Sequence, residues 1–165
     1  MASRPAGAAL VLHGHGLLTR QLRGVLAVGE APGVLTVSVR RYACQHCRAV
    51  MTVVPAGMLG RRQYSAPSIA YALCLWLLAG LSDRRVREQV CAWQLRGRSP
   101  RGWAQLYRWT RSAASMFALP RPVAALSDTR ETARRVLSSL HALAPVALSG
   151  APLGEQIFAG AASMP

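Results

Sequence analysis

Ser99-Pro100-Arg101-Gly102-Trp103-Ala104-Gln105-Leu106-Tyr107-Arg108-Trp109-Thr110-Arg111-Ser112-Ala113 decides how the chain is read. Ser99-Pro100 is a helix start signal, an N-cap followed by proline at the first helical position. At about 100° per residue, Trp103, Leu106, Tyr107, Thr110 and Ala113 share one side. Arg101, Gln105, Arg108 and Ser112 form a stripe on the reverse, with Arg111 at its edge. One face anchors the helix while the other presents guanidinium groups and an amide.

Two further helices precede it. Ser65 is a candidate N-cap, Ile69, Leu73, Trp76 and Leu77 follow at helical spacing, and Gly80 can end the run. Tyr71, Leu75 and Leu78 make the other side apolar too, which places this helix at the centre of a bundle. Ser82 caps the next helix, where Val86, Val90 and Trp93 fall in a narrow sector opposite Arg84, Arg85 and Glu88. The connection Gln94-Leu95-Arg96-Gly97-Arg98 is longer than a tight helix-turn-helix loop. Its two arginines suit phosphate contact.

Further out, the period changes. Leu35, Val37 and Val39 alternate with Thr36, Ser38 and Arg40, the pattern of a half-buried strand. Val11 to Leu18 is β-prone but interrupted by two glycines, and Val50 to Val54 is a second β-prone run stopped by Pro55. Cys44-Gln45-His46-Cys47 falls between strands, at a hairpin tip. On the C-terminal side, Asp128 and Glu131 have capping-box spacing ahead of Ala133, Val136, Leu137, Leu140 and Ala144. The expected fold is α+β and mostly α: a β unit over 10–56, a helix-turn-helix bundle over 64–117 and a C-terminal helix over 127–144. Residues 145–165 read as a flexible or loosely docked tail with a short apolar docking segment near Ile157-Phe158.

Charge narrows the function. The 165 residues carry 20 basic side chains, all arginine, against 6 acidic ones, for a net +14. Sixteen of the arginines lie between Met1 and Arg111, where only Glu30, Asp83 and Glu88 oppose them. A field this positive favours a polyanion. An apolar fraction of 52% excludes an intrinsically disordered chain. The most apolar run, Ile69 to Leu81, is too short for a bilayer of ~30 Å. Met1 to Leu12 lacks the pattern of a secretory leader, so the expectation is a cytoplasmic protein with reduced thiols and no membrane partner.

Cys44 and Cys47 on a hairpin tip make half of a zinc ribbon, because thiolates at that spacing converge on one tetrahedral metal. His13 and His15 are the only other candidate ligands nearby. A His2Cys2 zinc site and a metal-free hairpin with reduced thiols both stand as readings. Cys74 and Cys91 read as buried packing residues, and Trp76, Trp93, Trp103 and Trp109 as core. Arg40-Arg41, Arg61-Arg62 and Arg84-Arg85, with Tyr42 and Tyr64, suit backbone phosphate contact. The six carboxylates are scattered, so no set converges to hold the ions of a nuclease.

Arg40-Arg41-Tyr42-Ala43-Cys44-Gln45-His46-Cys47, then Val53-Val54-Pro55, then Tyr64-Ser65 opening a helix, resembles the zinc-ribbon plus helix-turn-helix region of bacterial insertion-sequence transposases. The likeness covers roughly residues 10–112, and His13-Gly14-His15-Gly16 with Arg20 and Arg23 is similar to the segment after such a ribbon's first cysteine pair. That family's earlier Cys-x-x-Cys and its acidic catalytic core are not in this sequence. A start of translation further upstream, or a truncated copy, are the two expectations this raises. The resemblance implies a DNA-binding protein without nuclease activity of its own, compatible with a homodimer. Arg101, Gln105 and Arg108 would face bases of double-stranded DNA, and Arg61, Arg62, Arg96, Arg98 and Arg111 would hold phosphates. The rival reading is an assembly protein docking through its Trp-rich helices, with membrane-surface association a lesser third.

Overall fold

The computed structural model describes residues 11–93, 103–117, 119, 123–124 and 126–164. Its elements are β1 (Leu12–Gly24), β2 (Gly33–Cys44), β3 (Val50–Val53), α1 (Ala66–Leu77), α2 (Asp83–Val90), α3 (Ala104–Met116), α4 (Thr129–His141), a 3-10 turn (Val146–Leu148) and α5 (Leu153–Ala162). The class is α+β: an N-terminal antiparallel meander in the order β1-β2-β3, followed by a helical body.

The first strand runs further than its β-prone start. Pairing with β2 continues from Leu12↔Cys44 to Gly24↔Gly33, and the two glycines produce an irregularity between Gly14 and Leu17 without ending the strand. Among the described residues β3 pairs only with Arg40–Ala43 of β2. The sheet meets the helices at the Gly24 end. There Ser68 Oγ donates to the Val25 carbonyl at 2.9 Å, and Arg23 bridges to Tyr64.

The starts of α1, α2 and α4 follow the expected chemistry, whereas α3 begins at Ala104 after Trp103, with no side-chain cap, and not at Ser99-Pro100. Ser65 Oγ accepts from Ser68 N at 3.2 Å, and Ser82 Oγ accepts from Arg85 N at 3.4 Å. Asp128 accepts from Arg130 N at 2.8 Å, satisfying helical donors that have no intrahelical partner. Glu131 turns instead toward Arg134 and Arg135. Gly80 takes φ +69°, and Leu81 N–H returns to the Leu75 carbonyl at 2.9 Å, closing α1 where the sequence placed its end.

α1 occupies the centre, touching α2, α3, α4 and α5. Its Ile69 and Leu73 join Val86 and Val90 of α2, Leu106 and Trp109 of α3, Val136, Leu137 and Leu140 of α4, and Ile157 of α5 in one buried cluster. Trp93 and the C-terminal segment are placed differently from the sequence reading. Trp93 lies beyond the end of α2 and is 52% exposed, with the Arg23 guanidinium 5.7 Å from its ring, because the helix stops before carrying it to the core. Residues 153–162, read as part of a flexible or loosely docked tail, form α5, which packs on α1 and α4 and buries Ile157 and Ala161. Composition hid this helix. Its closest approach uses Gly160, whose missing side chain lets the backbone meet the Leu140 carbonyl.

A Cβ at position 160 would overlap that carbonyl. Gly160→Ala is therefore expected to destabilise the fold by about 1–3 kcal/mol, read as a lower denaturation midpoint in urea. An unchanged midpoint would show that α5 does not belong to the cooperative core.

Candidate nucleic-acid interface

The rotation of α3 is fixed by aromatic packing. Trp109 is fully buried, with its ring centroid 5.0 Å from Tyr64 and 5.2 Å from Trp103, both edge-on. The Tyr64 hydroxyl donates to Cys91 Sγ at 3.2 Å. Burial, followed by that hydrogen bond, pushes the Tyr64 phenol above its ordinary pKa. Tyr64 thus sits partly buried at the sheet–helix junction, with its hydroxyl engaged by Cys91. Tyr107 moves from the expected anchor side to the surface, 43% exposed, with its ring 5.0 Å from Trp76. Burying so large a ring as Trp109 turns the anchored face toward Leu106, Trp109, Thr110 and Ala113.

The opposite face consequently opens around Arg108 and Arg111, both exposed, while Gln105 and Ser112 sit half-buried at its border. No ion pair engages either arginine among the described residues. Arg62 Nη2 reaches Ser112 Oγ at 3.5 Å, bringing the loop after β3 against this helix. The same loop is held from below by Arg20, whose Nη2 donates to the Arg62 carbonyl at 2.9 Å and lies 3.5 Å from that of Leu59. Arg61, exposed, takes φ +59°, a left-handed conformation uncommon for a side chain of this size. Arg20, Arg61, Arg62, Arg108 and Arg111 therefore belong to one connected region. Arg96, Arg98 and Arg101, with the Ser99-Pro100 start signal, lie outside the described residues.

Sequence reasoning missed Arg20. The period of two places Arg20 on the face of Leu18 and Leu22, but the carbonyls it meets lie 39 and 42 positions further along the chain, which no local pattern signals. Other basic pairs are engaged differently. Arg84 and Arg85 reach Glu88 at 3.0 and 3.2 Å, and the Arg84 hydrogen bond holds that carboxyl below its usual pKa. Arg40 lies 6.0 Å from the Tyr42 ring on β2.

α2 and α3, the pair expected to form the reading motif, meet at one end. Asp83 Oδ2, at the first turn of α2, accepts from Trp103 N at 2.8 Å, so the two helix N-termini lie together. α3 packs chiefly on α4, and α2 on α1.

Cys44 and Cys47 do flank the β2–β3 turn, where Cys44 N–H donates to the Ala49 carbonyl at 2.9 Å and Arg48 N–H to the Cys44 carbonyl at 3.0 Å. Cys44 is buried and Cys47 exposed. His13 pairs with Ala43, which puts its side chain on the sheet face opposite Cys44, and His15 lies in the strand irregularity. Among the described residues no three His, Cys, Asp or Glu side chains form a group able to hold a metal ion. The two thiols alone supply half of a tetrahedral zinc set.

Compared with protein-family models, curated proteins and solved structures, the chain finds no match.

Two measurements follow from this geometry. Arg20→Met should cost about 1–3 kcal/mol of stability, since carbonyls that now accept a charged donor lose it; an unchanged unfolding curve would contradict the clamp. Burial raises the Cys74 thiol to about 11, so near neutral pH it holds almost no thiolate. In timed alkylation read by mass spectrometry, Cys47 should label first and Cys74 only on unfolding. Early labelling of Cys74 would contradict its place in the core.

Proposed function

We propose that this chain is a double-stranded-DNA-binding protein, related to mobile-element transposases and without nuclease activity of its own. It uses the α3 face around Arg108 and Arg111 together with the Arg61–Arg62 loop. The observation that carries the reading is the Arg62–Ser112 contact, which joins two separately encoded arginine groups into one surface. α3 itself contains no acidic residue to oppose them. Guanidinium groups grip phosphate oxygens bidentately and can pair with guanine edges, whereas Gln105, half-buried, is placed to contribute from the border.

The likeness to transposase zinc-ribbon and helix-turn-helix segments supports the mobile-element part. The DNA-binding part does not depend on it. With α2 and α3 meeting at their N-termini, the reading relies on a presented basic helix, not on a tight two-helix motif.

The assembly reading draws on one observation, the exposed Trp93 under Arg23. Trp109 is fully buried, and Trp76 and Trp103 are partly buried against the core. Little tryptophan surface is left for docking. Among the described residues no helix is long and apolar enough to cross a membrane.

The test is duplex binding measured against salt. The wild-type chain should lose orders of magnitude in affinity over a few-fold rise in ionic strength, with a log–log slope of about −0.9 for each phosphate neutralised. Arg108→Ala with Arg111→Ala should weaken binding by about 2 kcal/mol or more and flatten the slope by roughly 2, with the fold intact. A flat wild-type salt dependence, or a double variant that binds like wild type, would overturn the assignment.

A further inference from the structure

The outer edge of β2 is open along a stretch whose hydrogen-bonding direction can be worked out. Arg23 donates its N–H to the Gln63 carbonyl at 2.6 Å, and its own carbonyl accepts from Ser65 N at 3.3 Å. Both groups therefore point away from β2, making Arg23 and its register partner Val34 a non-hydrogen-bonded pair. The N–H and C=O of Val34 then point off the other side of β2. The alternation carries this to Thr36, Ser38, Arg40 and Tyr42. The last two face Val53 and Met51 of β3, and Cys44 N–H meets Ala49 on that same side, as the parity requires.

Among the described residues Val34, Thr36 and Ser38 have no strand opposite. Among the described residues no backbone hydrogen bond reaches them from that side. Their side chains are exposed, as is Leu35 at 45%. The devices that normally protect a bare edge are absent: Val34 to Val39 contains no charge, no proline and no register irregularity. An uncharged, β-branched segment of this kind is an effective pairing template.

We propose that this edge pairs antiparallel with the same edge of a second copy, about a two-fold axis at Thr36, so that β1-β2 of one copy continues into β2-β1 of the other. Electrostatics favours this occupant. In a chain of net +14, the run Ala31 to Val39 carries none of the charge, so two copies approach here with little local Coulombic cost. The register is self-consistent. Val34 falls opposite Ser38 and Thr36 opposite Thr36, all residues with outward backbone groups, while Leu35 meets Val37 on the other face. Pro32 bounds the lane at one end and β3, beginning its pairing at Arg40, bounds it at the other. So short a pairing makes a weak, concentration-dependent dimer. The inference goes beyond DNA binding, and its test uses no DNA.

Sedimentation equilibrium of the whole chain, from micromolar to millimolar, supplies the test. The wild type should follow a monomer–dimer equilibrium. Thr36→Arg and Thr36→Glu should each weaken self-association more than roughly tenfold, because like charges meet on the axis. Mixed together, they should associate more tightly than either does alone. Thr36 is exposed, so circular dichroism of both variants should match wild type. Leu17→Arg, at a 67% exposed site on β1, should dimerise as wild type does. A wild type that stays monomeric throughout, a single Thr36 variant that dimerises normally, or a mixture with no gain would each overturn the proposal. So would an edge that pairs only with an added extended peptide.

Discussion

Trp109 lies with Tyr64 and Trp103 in an aromatic junction that joins the sheet to the helical body. Three rings packed edge-on leave α3 little freedom to rotate, and the direction of every other side chain on that helix follows. With Trp109 inside, Arg108 and Arg111 are outside, and Ser112 is left at the border for Arg62 to reach. The Tyr64 hydroxyl ties the same junction to Cys91 just past α2. The basic surface is therefore a consequence of core packing, not of local charge preference.

Electrostatic arrangement reinforces the division of labour. Where arginines would crowd on a helix with acids available, they are paired: Arg84 and Arg85 on Glu88, Arg134 and Arg135 on Glu131. These exposed pairs add little stability. They do offset part of the positive charge on α2 and α4, whereas α3 carries no acid to do so. Arg20 works differently, spending its donors on backbone carbonyls so that the Arg61–Arg62 loop stays against the sheet.

Much of the architecture was legible in the residues. The period-two run around Leu35–Val39, the hairpin at Cys44–Cys47, the caps at Ser65, Ser82 and Asp128, and the stop at Gly80 all act locally, and local chemistry reads out directly. What resisted reading was set at long range. α5 looked like a loose tail because its small residues serve close helix approach at Gly160, which no propensity encodes. Trp93 looked like core because the wheel was extended past the true end of α2. In the candidate site, Arg108 and Arg111 were legible from spacing. Arg20 and the Arg62–Ser112 contact were not, since each links residues some forty or more positions apart.

The most direct test of the central claim is an arginine side-chain NMR titration, following the guanidinium Nε–H signals as a short duplex is added. The account predicts that Arg62, Arg108 and Arg111 shift and broaden together at substoichiometric DNA, while Arg84, Arg85, Arg134 and Arg135 stay in place. Shifts confined to the ion-paired arginines, or none on α3, would contradict it.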